Sequence, residues 1–397
     1  MAVVLLAAGI VLLFVRPPWL PIWAGPVAAA SAGVATGVIR WHVTADALRL
    51  LRNPLLFLLF AVPLAVLLDR IGVFSALAAR VSGGRHLVLW LWVLAAGVTA
   101  VFNLDAAVVL LTPLYIHIAK GNGYAPEMLA FQPALMACLA SNPLPVSNLT
   151  NLIVAEKFGL GVGQFVVHLL LPTVLACSVG WFAYRRYFGT EPQQRRHSDA
   201  AVGAPDPGGR QPVDEANALR RGLPIVGFVL LGFTLGDALG IPGWVVAAVA
   251  VLWASALTRM FAWRVVPYAA MLVAVGLSVL VAGAVPHLGL DRLLDATGIA
   301  GRLRAFGFGV VGSNVSNNLP AVLAGSAALE HQASVWALLI GVNVGPVLVI
   351  SGALSGLLWR DTAARFDVHI TAKRYSQVGL RVGLPALLVA GAAVVLL

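Results

Sequence analysis

Along this chain apolar residues come in long runs. Polar residues are confined to three kinds of place: short charged links between runs, one long stretch near the middle, and small clusters inside the runs themselves. A bilayer-crossing helix needs roughly 17–25 predominantly apolar residues. Read in order, the pattern predicts helices over 1–15, which is short, 20–38 and 54–68, then the basic amphipathic stretch DRIGVFSALAARVSGGRH. Two interrupted runs follow, 87–119 broken at FNLDAA and 127–158 broken at SNPLPVSNLTN, and 164–184 closes the set. Residues 185–221 are charged, rich in Pro and Gly and without apolar periodicity, which reads as a linker. Beyond it the scheme recurs: 222–238, 243–258 and 265–285 are continuous, 302–329 is broken at SNVSNN, 333–358 is broken at NVGP, and 376–397 ends the chain.

Each half therefore carries continuous spans, two broken runs and a closing span. Short matches fall at the corresponding breaks: NLDAAV from Asn103 aligns with NNLPAV from Asn317, and NPLPV from Asn142 with NVGPV from Asn343. A duplicated architecture explains both the order and the matches. Charge then sets orientation. Place the linker in the cytoplasm and fold the first broken run of each half as a hairpin that enters and leaves on one face. Eighteen Lys and Arg then lie inside and seven outside (Arg40, Arg49, Arg52, Lys157, Arg292, Arg302 and Arg304), with Arg381 within the last span. The bias follows the positive-inside rule, and it gives the halves opposite topology with both termini outside. Broken apolar segments at corresponding positions of two halves are the best sequence pointer to a transporter's binding site.

Composition narrows the function classes. Of 397 residues 60% are hydrophobic and 11% charged, against roughly 25% charged in soluble domains. The net charge of +10 comes from basic residues in short loops between apolar runs, a topology signal rather than a nucleic-acid surface. Cys138 and Cys177 lie inside apolar segments without metal-ligand spacing or a disulfide framework, and read as small hydrophobes. There is no P-loop, GxSxG or HExxH, so energy is expected from an ion gradient or a partner ATPase, and no cofactor is expected. The first run lacks a basic leader and a small-residue cleavage site, and is expected to be a retained helix ended by Arg-Pro-Pro.

The breaks carry the candidate chemistry. Backbone groups freed at membrane depth are tolerated only where protein or a polar cavity satisfies them. In VVGSNVSNNLPAVLAG, Ser313, Asn314, Ser316, Asn317 and Asn318 can do that and still face a solute. Half-helices also aim their positive N-terminal ends at a break, which favours an anion or a polar oxygen. Asn103, Asn142 and Asn343 hold the matching places in the other breaks. Asp105 is the sharpest single residue, a carboxylate in VFNLDAAVVLLTP with apolar residues on both sides. An acidic residue within a span is a functional hypothesis by default. Apolar surroundings favour the protonated carboxyl, which makes Asp105 a candidate proton carrier. Capping the second helix of its hairpin is the structural alternative, and the two roles are compatible. Asp237 reads as interfacial, Glu156 and Lys157 as the end of a span, His117 and His168 as structural, and Arg381 as snorkelling.

With these motifs the chain resembles the arsenite permease (arsenical pump membrane protein) family of the ion transporter superfamily, which is similar to the divalent anion:sodium symporters. SNVSNNLPAVLAG resembles that family's second hairpin. LDAAVVLLTP resembles its first, where an acidic residue precedes an apolar run and Thr-Pro, here Asp105, Thr112 and Pro113. PLPVSNLTNLIVAEKFGL resembles the first broken helix, with Ser147, Asn148 and Asn151 in place, and GVNVGPVLVISGALSGLLW the second. The likeness spans residues 87–360. Leu104 stands where the family usually has Asn, and Val347, Val349 and Ile350 where it tends to carry Lys and then Thr-Pro. The resemblance implies an elevator-type carrier that exports arsenite or antimonite in exchange for protons, with Asp105 coupling. Arsenous acid, mostly uncharged at neutral pH, suits hydroxyl and amide partners.

The expectation is an all-α polytopic membrane protein of two inverted-topology repeats, each with a re-entrant helical hairpin and a broken transmembrane helix. Residues 1–19 form an extra N-terminal helix, 20–184 the first repeat, 185–221 a cytoplasmic linker and 222–397 the second repeat. The protein is expected in a bacterial-type plasma membrane, moving a small inorganic oxyacid or anion with a coupling proton or sodium. Its substrate-binding residues are expected to be Asn103, Asp105, Asn142, Ser147, Asn148, Asn151, Ser316, Asn317, Asn318 and Asn343. No metal and no nucleic acid are expected; a homodimer and a soluble ATPase docked on the linker stay open as partners. The alternatives are a dicarboxylate or sulfate carrier, a sodium/proton exchanger on the same scaffold, and a non-transporting membrane subunit. Asp105 at the first tip opposes a dianion, and a non-transporting subunit has no need of polar breaks in both halves.

Overall fold

The computed structural model describes residues 1–15, 19–82, 86–189, 214–294, 296–329 and 332–396, without the side chains of 81, 82, 237 and 238. The Arg-Pro-Pro stop at 16–18, Arg85, residues 190–213 of the linker and the side chain of Asp237 lie outside the described residues. Every regular element among the described residues is helical.

The chain opens with two short helices, α1 (Ala2–Phe14) and α2 (Ala24–Ala35), before the long α3 (Trp41–Ile71). The run expected at 54–68 is thus only the apolar part of α3. The preceding WHVTADALRLLRN is amphipathic: Thr44, Ala47 and Leu51 are buried at helical spacing, while Arg49 pairs with Asp46 at 3.0 Å in the open. Gly72, at φ 92°, ends α3 and starts α4 (Val73–Ser82). Then come α5 (Leu87–Phe102), α6 (Leu104–Gly121), α7 (Pro126–Leu139), α8 (Leu149–Phe158) and α9 (Val162–Phe188). The second half runs through α10 (Glu215–Ala238), α11 (Gly243–Thr258), α12 (Tyr268–Ala284), the single turn α13 (Leu290–Leu294), α14 (Gly298–Ser316), α15 (Asn318–Ala328), α16 (Gln332–Val344) and α17 (Leu354–Ala364). It closes with α18 (Ala372–Val378) and α19 (Leu384–Leu396), joined by a π turn at Gly379–Gly383 in which Arg381 lies over the Tyr187 ring at 5.3 Å.

Among the described residues six helical runs are long and apolar enough to cross a membrane. Their outward faces are also apolar, as with Leu170, Leu171 and Val174 on α9, Leu230 and Leu231 on α10, and Leu252 on α11. Helices apolar on both the packed and the outer face suit lipid rather than water. The protein is an all-helical, polytopic membrane protein.

Packing sorts the helices into two groups. Packing is heaviest within two sets, α1 to α4 with α10, α11 and α12, and α5 to α9 with α14 to α19, and the sets meet mainly where α3 packs on α8 and α12 on α15. The polar clusters of the sequence lie in the second group, and their breaks are tighter than the pattern implied. FNLDAA and SNVSNN shrink to single non-helical residues, Asn103 and Asn317. In the last broken run α16 continues through Asn343 to Val344. Gly345 and Pro346 then stop it, because proline and the residue before it disfavour continued helix.

Candidate functional site

Each hairpin tip is one asparagine. Asn103 has φ 98° and ψ 143°, and Asn317 has φ 88° and ψ 154°, a region that residues with a side chain rarely adopt. Each side chain offsets that strain by capping the next helix. Asn103 Oδ1 accepts from the Asp105 N–H at 2.9 Å, and Asn317 Oδ1 from the Leu319 N–H at 3.3 Å.

The broken helices end alike. The first break, residues 140–148, contains a 3-10 turn at Pro145–Ser147 and finishes on Asn148, whose Oδ1 accepts from the Thr150 N–H at 3.2 Å to cap α8. The second, residues 345–353, has turns at Gly345–Val347 and Ile350–Gly352 and finishes on Ala353. The backbone of Ala353 (φ −142°, ψ 152°) repeats that of Asn148 (φ −149°, ψ 141°), without a side chain able to cap.

As a result the first two residues of four helices meet at one cavity of about 30 Å³: Leu104 and Asp105 of α6, Leu149 and Thr150 of α8, Asn318 and Leu319 of α15, and Leu354 and Ser355 of α17. Leu58 of α3 and Ala270 of α12 supply an apolar wall from the other packing group. The half-helices then leave in pairs. At the far ends of α6 and α17 the Lys120 ammonium reaches the Phe366 carbonyl at 3.5 Å, and in the last turn of α8 the Lys157 ammonium donates to the Ser326 carbonyl of α15 at 2.6 Å. Four helix N-termini bring partial positive charge to the cavity. Among the described residues no Lys, Arg or His lines it, and its one ionisable group is Asp105.

Of the ten expected residues, Asp105, Asn148 and Asn318 line this cavity, and Asn103 and Asn317 form the tips. Asn142, Ser147, Asn151 and Asn343 build a network behind it. Asn343 donates to Asn142 Oδ1 (3.1 Å) and Asn151 Oδ1 (2.7 Å), and accepts from Asn148 Nδ2 (3.1 Å) and the Thr150 hydroxyl (2.6 Å). Every hydrogen-bonding position of that side chain is filled by the other half of the chain. The Asn151 amide nitrogen lies 3.0 Å from the carbonyls of both Ser141 and Leu144, and the Ser147 hydroxyl 2.7 Å from that of Leu144, so both hold the first break in shape. Ser316 turns away and donates to the Gly312 carbonyl at 2.8 Å. The second tip is tied to its own break, Asn317 Nδ2 donating to Ser351 O (3.1 Å) and Asn314 Nδ2 to Gly345 O (3.0 Å). Asn103 Nδ2, at the first tip, is buried without a partner among the described residues.

Sequence reasoning missed Thr150 and Ser355. Both are the second residue of a half-helix, in Asn148-Leu149-Thr150 and Ala353-Leu354-Ser355. Aligning the ends of the two breaks exposes the pair, whereas matching NPLPV to NVGPV hides it. Leu58 and Ala270 sit in continuous apolar helices and carry no sequence signal.

A larger cleft of about 620 Å³ opens between α3, the start of α9 and the α10–α11 turn, and Pro145 and Val146 of the first break line it. At its side Asn53 Nδ2 lies 2.9 and 3.0 Å from the Glu156 carboxylate oxygens. The histidines have structural surroundings: His168 stacks on Trp336 at 4.5 Å, and His117 Nδ1 lies 2.8 Å from the Pro113 carbonyl. Among the described residues no group of three or more His, Cys, Asp or Glu is placed to hold a metal.

The profile of the citrate transporter family matches residues 1–351. The chain belongs to the citrate transporter family. Its curated relatives include the arsenical pump membrane protein of Escherichia coli K12, 28% identical over 98% of this chain and 96% of that protein. The arsenical pump membrane protein of Yersinia enterocolitica is 29% identical over 94% of this chain and 93% of its own length. The silicon efflux transporter LSI3 of Oryza sativa subsp. japonica is 30% identical over a shorter stretch, 41% of this chain and 34% of that one. With its apolar helices, this family membership makes the protein a membrane transporter, multi-pass in the plasma membrane.

Proposed function

We propose that this protein exports arsenite or antimonite as an uncharged hydroxy acid in exchange for protons. The observation that carries the reading is the cavity where four helix N-termini surround, among the described residues, a single carboxylate with no basic side chain. A trihydroxy acid offers what such a site can use. Its hydroxyls donate to the Asp105 carboxylate and the Asn318 amide oxygen, and its oxygens accept from helix-start N–H groups other than those the asparagine caps take up. A dianion there would face Asp105 without a cation to offset it. The family takes its description from citrate, but the relatives aligned along their whole length are named for arsenicals and a partial one for silicon. Arsenic(III) and silicon share the chemistry of small, neutral hydroxy acids in water.

Exchange follows from competition at Asp105. The ionised carboxylate accepts a substrate hydroxyl, and protonation removes that acceptor and releases the solute. A cycle that loads substrate from the cytoplasm and a proton from outside then drives export. The two packing sets support a sliding carrier, since among the described residues the cavity's contacts with α3 and α12 are the apolar Leu58 and Ala270, which offer no side-chain hydrogen bond to break. The duplicated tips and breaks support two repeats of opposite topology.

The test is transport in proteoliposomes offered arsenite, antimonite, sulfate, succinate and citrate under imposed proton or sodium gradients. Arsenite flux coupled to counterflow of protons is expected. Asp105→Asn is expected to lower the proton-driven rate by about 100-fold or more, the scale for losing a positioned proton-transfer group, while the protein still purifies folded. Citrate or sulfate flux without an arsenite response overturns the substrate, and undiminished proton-driven exchange in Asp105→Asn overturns the coupling role.

A further inference from the structure

We propose that Ser355 is a substrate-binding residue whose hydroxyl bonds an oxygen of the transported hydroxy acid; this rests on the cavity being the transport site. Two hydroxyls stand at the same place in the two broken helices, and the structure employs them differently. Thr150 gives its proton to Asn343 Oδ1 at 2.6 Å, so its hydroxyl belongs to the network behind the cavity. Ser355 lines the same cavity and is 2% exposed, yet its Oγ is buried with no hydrogen-bond partner among the described residues. A buried hydroxyl left unpaired is destabilising, and such a group in a binding cavity is one that a ligand completes.

The surroundings exclude the obvious internal partners. At the position of Asn148, which caps α8 and touches Asn343, the second break has Ala353 with nothing to offer Ser355. The backbone is also held in place, since a Cβ on the next residue, Gly356, would stand 2.4 Å from the Ile350 carbonyl oxygen, so α17 begins hard against its own 3-10 turn. Ser355 therefore cannot shift its backbone to find a protein acceptor. The class of ligand follows from the residue type. A neutral hydroxyl both donates and accepts, which suits an uncharged M–OH group. With Asp105 on the first hairpin and Asn318 on the second, Ser355 gives the site a contact from the second broken helix. The solute is then held by both halves of the chain.

The experiment compares wild type, Ser355→Ala and Thr150→Ala in proteoliposomes for the KM of arsenite transport, and in detergent for the melting temperature with and without arsenite. Binding of a ligand to the folded state raises the melting temperature in wild type. Ser355→Ala is expected to raise KM tenfold or more and to lose the arsenite-induced shift, while the empty protein melts at the wild-type temperature or above, because an unpaired buried group has been removed. Thr150→Ala is expected to melt lower than wild type, because it breaks the bond to Asn343. Wild-type KM and a full arsenite shift in Ser355→Ala overturn the assignment, as does a lowered melting temperature with wild-type KM, which marks a structural hydroxyl. If wild type carries citrate or sulfate and no arsenite, the substrate reading fails by itself. The KM of Ser355→Ala for the solute carried, raised or unchanged, then decides Ser355 in the same way.

Discussion

The two hairpin tips use one residue type in one backbone conformation, yet each half holds its tip differently. In the second half Asn317 bonds the Ser351 carbonyl and Asn314 the Gly345 carbonyl, so the hairpin is bound to its own broken helix. Helix α14 also lies almost in backbone contact with α16. A Cβ at Gly341 would stand 2.3 Å from the Phe306 carbonyl oxygen, and one at Gly309 would stand 2.8 Å from that of Leu338. In the first half the corresponding amide, Asn103 Nδ2, has no partner among the described residues, and α5 meets α7 through a long side chain, Gln132 Nε2 donating to the Val88 carbonyl at 2.9 Å. The polar ties of the first break run across the molecule to Asn343 instead. The hairpin that carries Asp105 is thus the less tethered one, facing a second half made stiff by close helix packing.

The largest effect is expected where that stiffness is built. Gly341→Val puts two methyl groups into the α14–α16 contact, where small residues let membrane helices approach. Backbone has to move, at a cost of about 3 kcal/mol or more, and the folded yield and melting temperature are expected to collapse. Met136→Leu in the fully buried wall of α7 keeps its volume and is expected to cost less than about 1.5 kcal/mol. Equal losses from the two would mean that the halves are packed alike and would end the comparison.

Asn343→Ala should come next. Four hydrogen bonds join this side chain to the first half. At the ~0.6 kcal/mol that interhelical hydrogen bonds average in membrane proteins, their loss costs about 2 kcal/mol, and more where Asn148 or Thr150 is left unpaired. Asn318→Ala breaks no side-chain hydrogen bond described here and is expected to melt within a degree or two of wild type while transport weakens. Melting curves and initial rates for the two variants separate a residue that holds the cavity from one that faces its contents. The reverse pattern would place Asn343 among the ligands and Asn318 in the framework.

Those two asparagines also show how far the sequence was legible. A cluster of polar residues inside an apolar run admits few explanations at membrane depth, so the breaks themselves, with Asp105, Asn148 and Asn318, could be read from pattern and motif. Which way each side chain points could not. Asn343 looks like the twin of Asn142 because NVGPV resembles NPLPV. Measured from the end of each break it stands a full helical turn earlier, inside α16, and its partners lie some 200 positions away in the chain. Ser355 is one hydroxyl in an unremarkable helix start, and only the missing partner of its Oγ marks it. The start of α3 escaped for a plainer reason, since an amphipathic turn such as WHVTADALRLLRN leaves no apolar run to find.

The smallest effect makes the sharpest comparison, because it treats the two tips identically. Glycine accepts the positive φ of Asn103 and Asn317 without strain, so Asn103→Gly and Asn317→Gly remove the side chains without opposing the turn. Each loses an N-cap, and glycine replaces a capping residue at a cost of only a few tenths of a kcal/mol, which relief of backbone strain offsets. Asn317→Gly also loses its bond to Ser351, a further ~0.6 kcal/mol, whereas Asn103→Gly removes an unpaired amide nitrogen. The first variant is therefore expected to melt as high as wild type or slightly above it, and the second slightly below. Transport should order them the other way. Asn103 positions the N–H of Asp105 at 2.9 Å, so its loss loosens the carboxylate proposed to couple transport, while Asn317 steadies only Leu319. Paired measurements of melting temperature and proton-driven flux test this crossing. Two tips that changed together in both would mean that their shared backbone conformation extends to function, and that the free amide of Asn103 gives the Asp105 hairpin no separate mobility.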